Sequence, residues 1–245
     1  MSSPPSLPPA PTRRAEIATG VRMSAGAGLG MFPLGIAFGL LVVQSGLPWW
    51  MAPALSIFGY AGSLELLLIG LITSLTPVAT IALTTLLVNF RHVFYAFSFP
   101  LATIKNPLAK VYSMYALTDE AYAITAAHPE GWSPWRLIAL QASLQAYWVG
   151  GGLAGVSLGA LLPGPIRGLD FALCALFITL TLDACRTKAQ VPSLLLGAAS
   201  FGVALLLVPN QPLFAGLLGF LLTLLVRYLL AARRVRPLPT EALHD

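Results

Sequence analysis

Charge is what this sequence has least of. Only 9% of its 245 residues are charged, against 57% hydrophobic, and the mean hydropathy is +0.79. A soluble domain of this length needs more polar surface than that, so the chain reads as an integral membrane protein. Cysteine is nearly absent: Cys174 and Cys185 lie in or beside apolar sequence and read as small buried side chains, not as a disulfide or a metal site. Three scattered histidines without ligand spacing argue against a metal centre. There is no Walker motif and no glycine-rich dinucleotide loop, so ATP does not drive the chain directly and no cofactor is expected. Basic residues interleaved with aromatics on one face are also missing, which excludes a nucleic-acid reader. No stretch outside the apolar runs is long enough to bury a core of its own.

What charge there is sits mostly at the ends. The net +5 comes largely from Arg13, Arg14 and Arg22 before the first apolar run and Arg233, Arg234 and Arg236 after the last. By the positive-inside rule both termini are cytoplasmic. Residues 1–21, rich in proline and serine at the start, read as a disordered tail, 22–231 as the transmembrane domain and 232–245 as a basic tail. The first 20 or so residues do not suit a cleaved signal, because the following apolar run is too long for one.

Residues 23–64 carry no formal charge, enough for one span of about 20 residues and a second element. The first span is predicted at about 23–44, with an interface turn at "QSGLPWW". The second runs from Met51 to Ile72 and holds "GYAGSLE", whose two glycines and glutamate predict a kink or an unwound stretch. A third begins near Pro77 and ends in "NFRHVFYAFS", residues 89–98. Residues 108–127 have helical composition but carry Asp119 and Glu120 at their centre, so they either cross or fold into the interior. Residues 137–162 form an uncharged span broken at Gly150–Gly152, a short apolar piece covers 169–185, and 189–226 splits at "VPNQP" into two. The fold class is all-α, with seven or eight transmembrane helices, some broken or short, in a layout that suits an inverted repeat without establishing one. Cytoplasmic termini require an even number and favour eight, which leaves Lys105 and Arg167 in external loops.

Charged groups within spans are expensive and default to function. There are three groups: Glu65; Asn89, Arg91 and His92; and Thr118, Asp119 and Glu120. Arg91 and Tyr95 are four apart and share a helix face, whereas His92 turns about 100° away. Arg91 could instead anchor at the interface, His92 could be a neutral structural group, and Asp119 and Glu120 could be solvated loop carboxylates. The functional reading rests on complementarity: a guanidinium suits a carboxylate and a carboxylate suits an ammonium, which together fit a zwitterion. "GVSLG" at 155–159 matches a serine nucleophile elbow, but that motif works only at a strand-turn-helix corner. Gly151, Gly155 and Gly159 read better as a helix-packing face, and no enzyme is expected around Ser157.

Four motifs occur in order: "FPLGIAFG" at 32–39, "YAGSLE" at 60–65, "NFRHVFYAFS" at 89–98 and "LTDEAYAI" at 117–124. With "LDFALCALFITL" at 169–180, they make the chain resemble the AzlC family, large subunits of two-component branched-chain amino acid exporters, over about residues 22–230. The resemblance implies a proton-driven secondary transporter that exports leucine, isoleucine or valine, with methionine as a further candidate, across a bacterial inner membrane with a small AzlD-type membrane subunit. It maps the family's Arg-His pair onto Arg91 and His92 and its Thr-Asp-Glu triplet onto Thr118, Asp119 and Glu120. The family usually has glutamine where this chain has Glu65, a carboxylate that could add a protonation site or alter substrate preference. The candidate substrate-binding residues are Gly59, Gly62, Glu65, Asn89, Arg91, Tyr95, Asp119 and Glu120, and Glu65, His92 and Asp119 are the candidates for proton coupling. The alternatives are a transporter or channel for another small amino acid or zwitterion, or an accessory membrane subunit without transport activity of its own.

Overall fold

A computed structural model describes residues 11–162 and 190–234, together with positions 164, 174, 178, 181 and 188. All regular structure among the described residues is helical: α1 (Arg13–Gln44), α2 (Met51–Phe58), α3 (Gly62–Thr73), α4 (Val78–Asn89), α5 (His92–Tyr95), a 3₁₀ turn at Leu101–Thr103, α6 (Pro107–Tyr115), α7 (Asp119–Ala127), α8 (Pro134–Leu161), α9 (Val191–Leu207) and α10 (Pro212–Arg234). Two compact units divide the chain, one formed by residues 1–76 and 89–166, the other by 77–88 and 167–245.

The first unit is built on α1 and α8. Thr12 caps α1, its hydroxyl accepting from the Ala15 N–H, so the helix begins at Arg13 and takes in part of the stretch read as tail. At the other end Gly46, at φ 76°, turns the chain while the Leu47 N–H returns to the Val42 carbonyl. Ser133 caps α8 with Pro134 in its first turn. The two helices run parallel, since their contacts climb together: Gly20 lies against Arg136 and Leu140, Gly35 against Trp148 and Gly151, Gly39 against Gly152 and Val156, and Gly159 against Val43.

Their backbones touch because glycine lines both faces. A Cβ on Gly39 would stand 2.1 Å from the Gly152 carbonyl oxygen, and one on Gly155 2.1 Å from that of Ile36. The packing role read for Gly151, Gly155 and Gly159 therefore holds. The expected break at Gly150–Gly152 does not occur, and α8 is continuous. In lipid every backbone group needs an internal partner, so glycines set against a neighbouring helix stay helical. We expect Gly39→Ala and Gly155→Ala to lower the thermal unfolding midpoint in detergent by an overpacking cost of about 1–3 kcal/mol. Gly26→Ala and Gly30→Ala, where an added Cβ meets nothing within 4 Å, should leave it unchanged or raise it.

A part-buried ion pair ties the two N-terminal ends together. Arg136 holds Glu16 with two N–H donors, at 2.9 and 3.0 Å, and the Ser133 hydroxyl donates to the same carboxylate. Two interrupted segments run antiparallel to α8. α2 and α3 pass it with Ser56 beside Gly152, and with Gly62 and Glu65 at Trp148. α6 and α7 pass it with Tyr112 at Gln145, and Ser113 and Ala116 at Gln141.

In the second unit α9 and α10 form an antiparallel hairpin, with Gly197 against Phe220, Gly216 against Phe201, and Arg227 donating to Ser193 at 2.9 Å. Among the described residues, three helical stretches are long and apolar enough to cross a membrane: Arg13–Gln44, Val78–Tyr95 and Pro212–Leu230. The seven or eight expected from the sequence exceed that number because α2/α3 and α6/α7 are each cut into halves too short to qualify, α9 is just under the length, α8 is long enough but does not qualify, and the 169–185 piece, Cys185 included, falls almost wholly outside the described residues. Cys174 is a free thiol but is exposed rather than buried; a thiol is apolar enough to stand on a lipid-facing surface.

Candidate functional site

The segment that held most of the unexplained polarity is broken where its glycines stand. α2 ends at Phe58, where the Gly59 N–H reaches the Leu55 carbonyl at 2.7 Å, and α3 starts at Gly62. Between them Tyr60 adopts φ 39°, a left-handed conformation rare for a residue with a bulky side chain. Glu65, fully buried, folds back over the gap. It accepts from the Ala61 N–H at 3.0 Å, from the Ser56 hydroxyl at 2.7 Å, and from the Trp148 indole N–H at 3.1 and 3.0 Å. One carboxylate thus joins the end of α2, the start of α3 and the middle of α8. Gly62 leaves room for the Trp148 ring, which an added Cβ would meet at 3.0 Å.

The second interruption, Ala116–Thr118, is held from the side by Gln141. Its amide donates to the Ser113 and Ala116 carbonyls at 2.8 and 3.0 Å, and its carbonyl accepts from Ser113 Oγ. These are carbonyls a helix end leaves without internal partners. Thr118 caps α7, so Asp119 and Glu120 occupy the first turn, where the helix dipole favours negative charge. Beside the two gaps Tyr115 donates to the Ile57 carbonyl and receives from Gln145. The rings of Tyr60 and Tyr115 lie 5.8 Å apart.

The third break falls between α4 and α5, at Phe90 and Arg91. Arg91 reaches both α7, through an ion pair with Asp119 at 2.7 Å, and the first turn of α3, donating to Ser63 Oγ at 3.3 Å. Tyr95 donates to the same Asp119 at 2.8 Å and stacks on Tyr122 with centroids 4.1 Å apart. His92 is apart from this pairing: its Nδ1 lies 2.9 Å from the Asn89 carbonyl and its ring meets the edge of Tyr95. Arg91, Tyr95 and Asp119 are thus brought together, and Glu65 occupies a neighbouring, separate network. Glu120 is partly buried and makes no hydrogen bond or ion pair among the described residues. Among the described residues, three buried polar atoms have no hydrogen-bond partner: Tyr60 Oη, Asn89 Oδ1 and Arg91 Nε.

Sequence reasoning missed Trp148, Ser56, Ser63, Tyr60 and Gln141. Gln141, Gln145 and Trp148 were visible as polar atoms at spacings of three and four residues along an uncharged span. A search for polar stripes, in addition to charges, would have found them.

A family profile described as AzlC protein matches residues 27–162, which include α1 from residue 27 onward, all three breaks and α8. The chain belongs to the AzlC family. Its relatives include a membrane protein of Helicobacter pylori, 31% identical over 75% of this chain and 82% of that protein. The branched-chain amino acid transport protein AzlC of Bacillus subtilis is 29% identical over 78% and 77%. The inner membrane protein YgaZ of Escherichia coli is 28% identical over 80% and 84%. No solved structure gives a significant match. For this AzlC-family chain membrane transport is the class of activity, and the breaks that carry its polar groups lie within the matched residues.

Proposed function

We propose that this chain is a secondary transporter that exports branched-chain amino acids across a bacterial inner membrane, coupled to protons and working with a small AzlD-type subunit. The observation that carries the reading is the Arg91–Asp119 pair, set beside helix interruptions in a span-forming chain. Interrupted helices expose backbone groups only where protein or a wet cavity covers them, and in transporters such breaks mark substrate sites. The pair is part-exposed, at 41% and 47% for its two side chains, so a ligand can compete for it. A zwitterion supplies a carboxylate for Arg91 and an ammonium for the carboxylates of α7, replacing one set of charge pairs by another without stranding a charge. An aliphatic side chain then needs only an apolar wall. The substrate class named for the Bacillus subtilis relative agrees with this demand.

Eight crossings fit the connectivity. With α1 and α8 parallel, and both interrupted segments antiparallel to them, the chain has to return once between Thr73 and Pro107, and that stretch holds an apolar segment, Val78–Tyr95, long enough to cross. Residues 107–127 then cross, Arg136 lies on the side of Arg13 and Arg14, and both termini are cytoplasmic. Glu65, His92 and Asp119 are the titratable groups available for proton coupling. Charge concentrated at a few unique positions also speaks for a transporter over a channel, which repeats polar rings along a pore.

The test is efflux of preloaded radiolabelled leucine, isoleucine, valine and methionine from cells expressing this chain with and without its small neighbour subunit, in the presence and absence of an uncoupler. Efflux of the branched substrates above background that collapses with the uncoupler is the expected result. Efflux of a different amino acid alone would overturn the substrate assignment.

A further inference from the structure

A continuous helix through the first break would have the Ala61 N–H donate to the Ile57 carbonyl, four residues back. Here the two groups are parted, and a side chain satisfies each. The Ala61 N–H donates to Glu65 Oε1 at 3.0 Å, and the Ile57 carbonyl accepts from the Tyr115 hydroxyl. The Tyr60 N–H is displaced as well, reaching the Leu55 carbonyl at 3.2 Å beside that of Gly59. Within the parted turn Tyr60 carries the left-handed backbone, at φ 39°. Strain of that kind persists only where the surroundings over-determine it. Two side-chain caps and one strained residue thus stand in for one backbone hydrogen bond. Neither backbone group is stranded in the broken form, nor would either be in a continuous one.

Tyr115 ties this exchange to the second break. Its hydroxyl accepts from the Gln145 amide at 3.1 Å while the Gln145 carbonyl accepts from Tyr112 at 2.9 Å, which leaves the Tyr115 proton for Ile57. Tyr115 is the last residue of α6 and stands between Ser113 and Ala116, whose carbonyls Gln141 holds at 2.8 and 3.0 Å. Gln141 and Gln145 are four apart on one face of α8, a helix fixed to α1 by its glycine contacts. One face of α8 therefore sets the end of α6, and the end of α6 caps the end of α2. Resting on the transporter reading above, we propose that Tyr115 is a positioning residue for transport. Its hydroxyl, aimed by Gln145, holds the α2/α3 segment broken, and the segment becomes one continuous helix when the Ala61 N–H returns to the Ile57 carbonyl. Glu65 then gives up Ala61 and keeps Ser56 and Trp148. Gly59–Ala61 is the hinge: a few residues at element ends absorb the change in φ and ψ, and the segment has two discrete arrangements for the transport cycle to pass between.

The experiment measures the distance across α2 and α3 in the full chain, reconstituted in vesicles, by pulsed electron paramagnetic resonance. Spin labels are carried by Trp50→Cys and Leu75→Cys, both at exposed positions, with Cys174→Ser and Cys185→Ser removing the native thiols. Leucine efflux is followed in parallel. Tyr115→Phe deletes only the hydroxyl, so losing one hydrogen bond from the broken form should raise the ratio of continuous to broken distances about tenfold and slow efflux. Gly59→Ala reaches the same end by another route. Its Cβ would stand 2.8 Å from the Leu55 carbonyl oxygen in the broken form, whereas alanine is the better residue in a continuous helix. Adding Tyr60→Gly to Tyr115→Phe relieves the left-handed strain of the broken form and should return the distance ratio and efflux toward wild type. A tyrosine that merely packs would gain nothing from that glycine. Wild-type distances in both Tyr115→Phe and Gly59→Ala, with leucine efflux intact, would overturn the exchange and leave the transport reading standing. Distances that shift as expected in a chain that moves no amino acid would overturn the transport reading and leave the exchange.

Discussion

Arg91→Ala should abolish leucine efflux at undiminished abundance in the membrane. The fold loses little: the ion pair with Asp119 is part-exposed on both sides, and such pairs contribute about 0–1 kcal/mol to stability. Transport loses much more, because truncating one member of a charge pair that forms with a desolvated ligand costs about 2–5 kcal/mol, roughly a thirtyfold to several-thousandfold weakening. Arg91→Lys keeps the charge and gives up the planar fork, so an intermediate loss is expected. A charge exchange separates the two roles. Arg91→Asp with Asp119→Arg re-forms the ion pair across the same gap, and a purely structural pair would regain full activity. For a substrate site the exchanged protein should reach the membrane and remain inactive, since the ligand's carboxylate now faces a carboxylate. Wild-type efflux in Arg91→Ala would remove the guanidinium from the mechanism.

How much of this could be read from the sequence depends on what kind of signal each residue carries. The break at Gly59–Ala61 was legible, because glycines and a glutamate inside an apolar run conflict with a plain span at the level of composition. The split of residues 107–127 was legible only as a conflict. Asp119 and Glu120 disagreed with their helical neighbours, and the resolution needed Thr118 as a cap and Gln141 from α8, which is not adjacent in sequence. Trp148 was invisible as a ligand of Glu65, because an indole in an uncharged span reads as core or interface until its N–H is seen to point at a carboxylate. Gly150–Gly152 misled for a related reason: a residue that weakens a helix in water is a packing surface where another backbone lies in the place of its Cβ, as the Phe32 carbonyl and Gly35 do at Gly151. Local pattern thus locates the interruptions, and the long-range donors that make them tolerable emerge only from the packing of α1 and α8.

Glu65 should tolerate an amide and nothing less polar. Glu65→Leu strands the Ser56 hydroxyl, the Trp148 indole N–H and the Ala61 N–H in a fully buried site. At about 1–3 kcal/mol for each stranded donor, the sum approaches the whole stability of a typical domain, so this variant should fail to accumulate as folded protein. Glu65→Gln keeps the geometry. Its carbonyl can accept from the Ala61 and Trp148 N–H groups, and its amide can donate to Ser56 Oγ, which accepts as readily as it donates. Its unfolding midpoint should therefore lie close to that of wild type, and the two variants together separate the side chain's place in the fold from its charge. The amide cannot carry a proton. If Glu65 is the coupling group, Glu65→Gln should still exchange labelled for unlabelled leucine across a vesicle membrane, since exchange needs no net proton movement, while leucine accumulation driven by a pH gradient disappears. If gradient-driven accumulation survives in Glu65→Gln, Glu65 is only the latch that closes the gap between α2 and α3, and the coupling proton travels through Asp119 or His92.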